Sequence, residues 1–120
     1  MDITPFVSAD QKLIQSYTQG RFRINGEVFS YPVLVWGAHV EEWCVSDFTQ
    51  INDQIHALNG QIDVLLIGGG ATFSVLSPSK RAAFIGLGFS VDVMDTGAAC
   101  RTYNVLTAEG RRVAAALRTL

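Results

Sequence analysis

The sequence has few cysteines, few charges and no long apolar run, and each shortage excludes a class of protein. Its two cysteines, Cys44 and Cys100, lie far apart and form no C-x-x-C pair, whereas zinc sites and dithiol redox centres need closely spaced ligands. No stretch approaches the about 20 apolar residues of a membrane-spanning helix. Zinc binding, dithiol redox chemistry and a transmembrane helix are therefore not expected.

An excess of charge of one sign is also lacking. The net charge is −2 and the pI about 5.5, whereas a nucleic-acid-binding domain usually has a basic stripe and a pI above about 9. Acidic side chains prevail in residues 1–63 and basic ones, mostly arginine, in residues 64–120. Charged residues make up 17% of the chain, against about 25% in a typical domain, which favours a covered sheet or a partner-binding face. Nucleic acid is not an expected partner.

The length and the apolar content indicate one folded domain. With 120 residues, 48% of them hydrophobic, the chain can bury about two-thirds of its surface without metal or disulfide crosslinks. We expect a single domain over residues 1–120. Within it we expect an N-terminal extension over 1–12, mainly β structure over 13–45, and alternating helices and strands over 46–120.

Strand and turn signals dominate residues 13–45. Asn25-Gly26 is typical of a type I′ hairpin turn, which needs positive φ at both central residues, and it would pair residues 21–24 with residues 27–30. The segment Val33–Trp36 is apolar on both faces, as in a strand covered on each side. Further strands are expected over residues 13–17 and 40–45.

Helix and strand signals alternate from residue 46 onward. Ser46 is a predicted helix cap before apolar residues at helical spacing that reach Leu58, and Ser77-Pro78 opens a second helix. A buried strand is predicted over residues 64–67, and a strand with alternating polar and apolar residues over 89–94. This succession with short connections favours parallel pairing through right-handed crossovers. The fold class is therefore α/β, with the N-terminal hairpin packed beside the sheet.

The C-terminal segment is predicted to hold two helices. Thr96 would cap the first, which runs through Leu106. Thr107 would cap the second, whose apolar face comprises Val113, Leu117 and Leu120. Near the start of that last helix, Glu109 would pair with Arg112 on a solvated face, unless a buried ion pair ties the two helices together.

Gly68, Gly69 and Gly70 form a glycine loop directly after a predicted buried strand, a place where α/β sheets often bind ligands. Its spacing does not match G-x-G-x-x-G, and it is not a P-loop because no Gly-Lys-Ser/Thr follows. Three interpretations stay open: a strand-end turn, a nest of N–H groups for an anion or small polar ligand, and a protein contact.

Cys100 lies in the densest polar cluster of the chain. If Thr96 caps the helix, Cys100 falls in about its first turn, where the helix dipole lowers a thiol pKa. A nucleophilic thiol also needs a base, and the sequence places neither His39 nor His56 beside it. Burial as a small apolar residue is the alternative. No catalytic residue, metal site or cofactor is indicated.

Three polar residues around this thiol have both structural and site interpretations. Asp95 could bond the N–H groups of the first helical turn, and Asn104 could cap carbonyl groups or stop the helix. Arg101 could meet an anion at the glycine loop. The candidate ligand-binding or partner-binding residues are therefore Gly68, Gly69, Gly70, Asp95, Thr96, Arg101 and Asn104.

A long ungapped C-terminal motif gives the chain a family resemblance. The motif is Asp95-Thr96-x-x-Ala99-Cys100-x-Thr102-x-Asn104-x-Leu106-x-x-Glu109-Gly110-Arg111. It resembles the family of small domains of unknown function that includes NADH dehydrogenase (complex I) assembly factor three and adipogenesis-associated domain proteins. The resemblance extends upstream through the hairpin, the strand at Val33–Trp36, Trp43 and the glycine loop, and it covers about residues 13–118. One departure is Gly69, where the family commonly has threonine.

The resemblance implies a three-layer α/β domain, in which a mixed central sheet carries helices and an additional N-terminal β-hairpin layer. It also implies a non-enzymatic accessory protein that binds other proteins, such as complex I subunits or other assembly factors, during assembly of respiratory complex I. Any membrane association would then be peripheral and through partners. The alternatives are a small anionic-ligand binder or enzyme of unknown type that uses the glycine loop and Arg101, and a domain that associates only with itself as a homo-oligomer.

The start of the chain and its cysteine usage bear on location. The residues Met1-Asp2-Ile3-Thr4-Pro5 lack the Arg-rich, acid-poor pattern of a mitochondrial transit peptide, and two lone thiols suit a reducing compartment. We therefore expect a bacterial member of the family with a cytoplasmic location.

Overall fold

A computed structural model describes residues 11–45, 47–48, 50–71 and 77–120. Most of the predicted N-terminal extension and the predicted cap Ser46 lie outside the described residues. The strands are β1 Ile14–Ser16, β2 Phe22–Ile24, β3 Glu27–Phe29, β4 Val33–Trp36, β5 His39–Glu42, β6 Val64–Gly68, β7 Ser90–Met94 and β8 Val113–Leu117. The helices are α1 Asp53–His56, α2 Pro78–Ala82 and α3 Thr96–Ala108.

The first three strands form a small antiparallel sheet in the order β1-β2-β3. The predicted hairpin turn is confirmed, because Asn25 and Gly26 have φ angles of 49° and 84°, the left-handed values of a type I′ turn. The Asn25 side chain also accepts a hydrogen bond from Leu13 N–H at 2.8 Å and donates one to the Gln11 carbonyl at 3.0 Å. The turn residue thereby holds the segment that leads into β1.

The other five strands form a mixed sheet in the order β5-β4-β8-β6-β7. The pairs β5–β4 and β4–β8 are antiparallel, and the pairs β8–β6 and β6–β7 are parallel. Both covered strands predicted from sequence, Val33–Trp36 and the strand that starts at Val64, belong to this one sheet and flank β8. The predicted α/β class with a mixed central sheet and an N-terminal β layer is confirmed.

The predicted last helix is wrong, because residues 113–117 form the central strand β8. All five of these residues are buried, and their backbone pairs with β4 on one side and β6 on the other. Ala114, Ala115 and Ala116 favour a helix by propensity, but small side chains also suit a strand with packed layers on both faces. Here tertiary packing overrides local preference, and Thr107 lies inside α3 rather than capping a new helix.

Two other helix boundaries differ from the sequence prediction. The cap of α3 is Asp95, not Thr96, since its carboxylate accepts a hydrogen bond from Ala98 N–H at 2.8 Å, and the helix continues to Ala108. The long helix predicted before Gly60 is reduced to the short α1, capped by Asn52.

The five-stranded sheet separates two apolar clusters. One face packs against α3 and the small sheet, through Ile14, Phe22, Ile24, Val33, Val35, Leu66, Ala99, Cys100, Tyr103, Ala115 and Leu117 among others. The opposite face packs against α1 and the segments around residues 43 and 84, through Leu34, Trp43, Ile55, Leu58, Leu65, Ile67, Phe84, Ala114 and Ala116 among others. Both faces of this sheet are covered, so its edges, the outer helix surfaces and the outer side of the small sheet, where Val28 is exposed, are the parts that other molecules can contact.

Candidate functional site: the strand-end edge

The glycine loop begins at the edge of the sheet where the parallel strands β6 and β8 end. A Cβ atom at Gly68 would lie 2.9 Å from Leu117 Cδ2 and 2.9 Å from Thr96 Cα, so only glycine allows β6 to approach α3 this closely. Gly68 O accepts a hydrogen bond from Arg118 N–H at 3.0 Å. This bond joins the loop to the residue that follows β8.

The N–H groups of the loop are used within the chain. Gly69 N–H donates to the Met94 carbonyl at 2.9 Å, and Gly70 N–H donates to Thr96 Oγ1 at 3.0 Å. Gly70 O accepts from Thr96 N–H at 2.8 Å. The amides that an anion nest would need are therefore already paired.

Thr96 holds three elements together at this edge. Its hydroxyl is buried, accepts from Gly70 N–H and donates to the Arg118 carbonyl at 2.9 Å. One side chain thus links the loop after β6, the start of α3 and the end of β8. The structure brings Gly68, Gly70 and Thr96 together and gives them the role of a junction that fixes the backbone of Arg118.

Asn104 and Arg101 contact the N-terminal segment rather than the glycine loop. The Asn104 side chain accepts from Ile14 N–H at 2.9 Å and donates to the Ile14 carbonyl at 2.7 Å, which clamps β1 to the middle of α3. Arg101 Nη1–H donates to the Tyr17 hydroxyl at 2.8 Å. Asn104 lies well inside α3, so its expected helix-stopping role is wrong.

Cys100 is buried in the cluster between α3 and the sheet. Burial raises the pKa of its thiol to about 12, an effect that Arg101 opposes and Asp95 reinforces. At neutral pH the residue is therefore a protonated thiol without nucleophilic character. Tyr103 is buried on the same face, and burial raises the pKa of its phenol to about 12 as well.

These two buried acids predict a loss of stability at alkaline pH. The pKa values of Cys100 and Tyr103 are 9.0 and 10.0 when unperturbed and about 12 in the fold. The folded state therefore has its full stability below about pH 9, and it loses stability as the pH rises towards 12, because the unfolded chain releases these protons first. At about pH 10.5 the Cys100 thiol alone should lower the free energy of unfolding by about 2 kcal/mol. Urea denaturation at neutral pH and at pH 10.5 measures this loss. Between these two pH values, the free energy of unfolding of Cys100→Ala should fall by about 2 kcal/mol less than that of the parent chain. Equal falls in the two proteins would contradict the burial of the thiol.

Beside the glycine loop is a concave site that we call the strand-end pocket. It has a volume of about 170 Å³ and is lined by Pro32, Trp43, Val45, Phe48, Arg118 and Thr119. The Phe48 ring packs against Gly69, where a Cβ atom would lie 3.2 Å from Phe48 Cε2. The Arg118 guanidinium lies over the same ring, 5.6 Å from its centroid, which is within cation–π range.

One residue that lines this pocket has a donor without a partner in the described part of the chain. Trp43 is buried, and its indole Nε1–H makes no hydrogen bond with residues 11–45, 47–48, 50–71 or 77–120. A buried donor left unpaired costs about 1–3 kcal/mol, so most buried donors in native folds have an acceptor from the protein, from water or from a ligand. The strand-end pocket therefore combines a cation, an unpaired donor and apolar walls.

Sequence reasoning missed Arg118, Phe48 and Trp43 as site residues. Because the C-terminal segment was assigned to a helix, nothing placed Arg118 at the end of a strand next to the glycine loop. With residues 113–117 recognised as a strand parallel to β6, Arg118 falls at the same sheet edge as Gly68. The sequence signal that could have identified this site is a basic residue, Arg118, directly after the apolar run of residues 113–117.

A second cavity of about 190 Å³ lies at the opposite edge of the sheet, lined by residues that include Gln11, Trp36, Thr107 and Arg112. Arg112 is engaged there, since it donates to both carboxylate oxygens of Asp63 at 2.8 and 3.2 Å. The hydrogen bond from Arg112 lowers the pKa of the Asp63 carboxyl. The predicted pairing of Arg112 with Glu109 is wrong, and the observed pair is solvent-exposed and adds little stability.

Within the described residues, no group of three or more histidine, cysteine, aspartate or glutamate side chains is placed to hold a metal ion. In the same part of the chain, no helix has the length and apolarity needed to cross a bilayer.

Comparison with known proteins connects this geometry to a family. The chain is 38% identical to an uncharacterised protein of Rhodobacter capsulatus over 87% of its own length and 82% of that protein. It is 33% identical to NADH dehydrogenase [ubiquinone] 1 alpha subcomplex assembly factor 3 of Xenopus tropicalis, over 92% of its own length and 62% of that protein. The chain thus spans about three-fifths of the length of that assembly factor.

Solved structures show the same architecture. A crystal structure of a protein from Bordetella parapertussis superposes with a TM-score of 0.78 at 31% identity, and the match covers 99% of this chain and 100% of that one. The family model described as "Protein of unknown function (DUF498/DUF598)" matches residues 14–118, from β1 to just past β8. The chain belongs to this DUF498/DUF598 family.

Proposed function

We propose that this protein is a non-enzymatic accessory factor that assists assembly of respiratory complex I by binding protein partners. The observation that carries the proposal is the similarity to an NADH dehydrogenase assembly factor over 92% of the chain. The region matched by the family model, residues 14–118, includes the whole junction between the glycine loop, α3 and β8. We propose a bacterial, cytoplasmic protein whose partners are complex I subunits or other assembly factors.

The state of the candidate residues supports a role without covalent catalysis. Cys100, the thiol considered as a nucleophile from the sequence, is buried and its pKa is raised to about 12. Thr96 and Asn104 are occupied by contacts that hold the fold. Because these side chains stabilise the fold, we propose that the protein acts through contacts made by its surface.

Arg101 is the candidate residue best placed for a partner contact. Of the candidate residues predicted from sequence, it alone is exposed, and it lies one helical turn before Val105, whose side chain is 56% exposed. An exposed arginine next to an exposed aliphatic residue is a typical composition for a protein-binding surface. We propose that this face of α3 contributes to partner binding.

Deletion of the gene in a bacterium that has complex I tests the proposed function. We expect NADH:quinone oxidoreductase activity and the amount of assembled complex on native gels to fall together, because an assembly defect removes the enzyme rather than slowing it. Succinate dehydrogenase activity in the same membranes serves as the control and should not change. Unchanged activity and unchanged assembled complex would contradict the role.

Complementation of the deletion strain examines the α3 face. Arg101→Glu should accumulate as a folded protein and restore complex I less well than the parent chain. Arg81→Glu, an exposed charge reversal on α2, is the matched control and should restore it fully. Full restoration by Arg101→Glu would remove Arg101 from the proposed partner surface.

A further inference from the structure

We propose that the strand-end pocket binds a small organic carboxylate that carries an apolar body, such as an aromatic or branched aliphatic acid. This inference goes beyond the assembly role and does not depend on it. It rests on the fixed position of Arg118, the composition of the pocket walls and the unpaired indole donor of Trp43.

The position of Arg118 is set by the fold on both sides of its backbone. Its N–H donates to Gly68 O at 3.0 Å, and its carbonyl accepts from Thr96 Oγ1 at 2.9 Å. The guanidinium then lies over the Phe48 ring at 5.6 Å. The backbone bonds fix where the exposed side chain starts, and the contact with the Phe48 ring restricts the guanidinium, so it loses less conformational freedom on binding a ligand than an arginine without such a contact.

The charge of Arg118 is available to a ligand. In the part of the chain that the structure describes, the recorded ion pairs are Lys80–Asp47 and Arg112–Asp63, and Arg118 belongs to neither. A guanidinium presents a planar fork of N–H donors that matches the two oxygens of a carboxylate. With one cation in the lining, the pocket suits a singly charged anion better than a multiply charged phosphate.

The walls require an apolar body on the ligand. Pro32, Val45 and the Phe48 ring line the pocket beside Arg118. Pockets for drug-sized ligands usually have volumes of about 300–1,000 Å³, so a pocket of about 170 Å³ accommodates something much smaller. Benzoate, with one carboxylate and one ring, has the size and the polarity that this lining favours.

Trp43 supplies an independent reason to expect a polar ligand atom here. Trp43 lines the pocket, and among the residues that the structure describes its buried Nε1–H has no acceptor. The carboxylate of a ligand bound to Arg118 would bring an acceptor to this wall. The indole N–H signal of Trp43 is therefore the natural reporter of binding.

The test is a titration of the full-length, ¹⁵N-labelled protein with benzoate, followed by NMR. The chain has two tryptophans, and Trp36→Phe assigns the two indole signals. We expect saturable shifts of the Trp43 indole signal and not of the Trp36 signal, since Trp36 stacks on His39 and lies outside this pocket. Benzamide, the neutral isostere, and inorganic phosphate should each bind at least about tenfold more weakly.

Two variants complete the test. Arg118→Gln should weaken benzoate binding by about tenfold or more, whereas Arg101→Gln, a matched arginine elsewhere on the surface, should change it by less than about twofold. The proposal is overturned if the Trp43 signal shows no saturable shift up to about 10 mM benzoate. Equal affinity for benzamide or phosphate, or unchanged binding to a folded Arg118→Gln variant, would overturn it as well.

Discussion

Replacing Asn104 by alanine is expected to lower the free energy of unfolding by about 3 kcal/mol. The substitution removes two hydrogen bonds, one to Ile14 N–H at 2.9 Å and one to the Ile14 carbonyl at 2.7 Å. Both Ile14 groups face α3 and would lose their partner in a half-buried position, which costs more than the bonds themselves contribute. The slightly better helix propensity of alanine offsets only a small part of this loss.

Urea denaturation of Asn104→Ala measures the effect, and Val105→Ala is the control. Val105 is the next residue of α3 and is exposed, so its truncation should change stability by less than about 0.5 kcal/mol. Amide hydrogen exchange adds a local readout, because the Ile14 amide should lose protection in Asn104→Ala. A loss of stability no larger than that of the control would contradict the role of Asn104 as a clamp on β1.

Gly68→Ala is the second substitution with a large expected effect, again about 3 kcal/mol of lost stability. The new methyl group would lie 2.9 Å from Thr96 Cα, a backbone atom that cannot rotate away, and 2.9 Å from Leu117 Cδ2. Relief requires moving α3 away from β6, which also strains the hydrogen bonds of the Thr96 hydroxyl. Alanine also lowers the conformational entropy of the unfolded chain, which offsets at most about 1 kcal/mol of this loss of stability.

Gly69→Ala is the matched control for Gly68→Ala. Its methyl group would meet the Phe48 ring at 3.2 Å, the end of a side chain that can shift, so we expect a stability loss below about 1 kcal/mol. Thermal or urea denaturation of the two variants separates these outcomes. Equal effects of the two substitutions would show that the approach of α3 to β6 at Gly68 is not as tight as described.

Local signals predicted the parts of the fold that are encoded locally. The turn at Asn25 and Gly26 requires left-handed backbone at both positions, which few other residue pairs provide. The run at residues 64–67 is apolar on both faces, and it forms a strand covered on both faces. In each case the determinant lies within a few residues of the element it specifies.

The strand β8 was not predictable in this way. Its alanines favour a helix in isolation, and its place between β4 and β6 depends on residues distant in the chain. Because residues 113–117 were predicted to be helical, Arg118 was not expected at the sheet edge, and the strand-end pocket was not predicted either. Long-range pairing, not local preference, determines both features.

Sequence reasoning singled out several residues near this sheet edge, but it indicated neither their contacts nor the pocket residues Arg118, Phe48 and Trp43. The structure places Thr96 beside the glycine loop, where its hydroxyl accepts a hydrogen bond from Gly70 N–H, a contact that the sequence did not indicate. The partner of Asn104 is Ile14, far away in sequence, and no local pattern connects them. A polar residue in the middle of a helix usually lies on a solvent-exposed face, and only the tertiary structure shows that Asn104 instead binds the backbone of Ile14.

The most direct test of the central claim is the amount of assembled complex I in the deletion strain complemented with Cys100→Ala. The account describes a scaffold that acts through its surface, so this variant should restore complex I to the level reached with the parent chain. If the variant accumulates as a folded protein and the complex is still missing, the thiol has a chemical role and the account is contradicted. If the parent chain itself fails to restore the complex, the assembly role is contradicted instead.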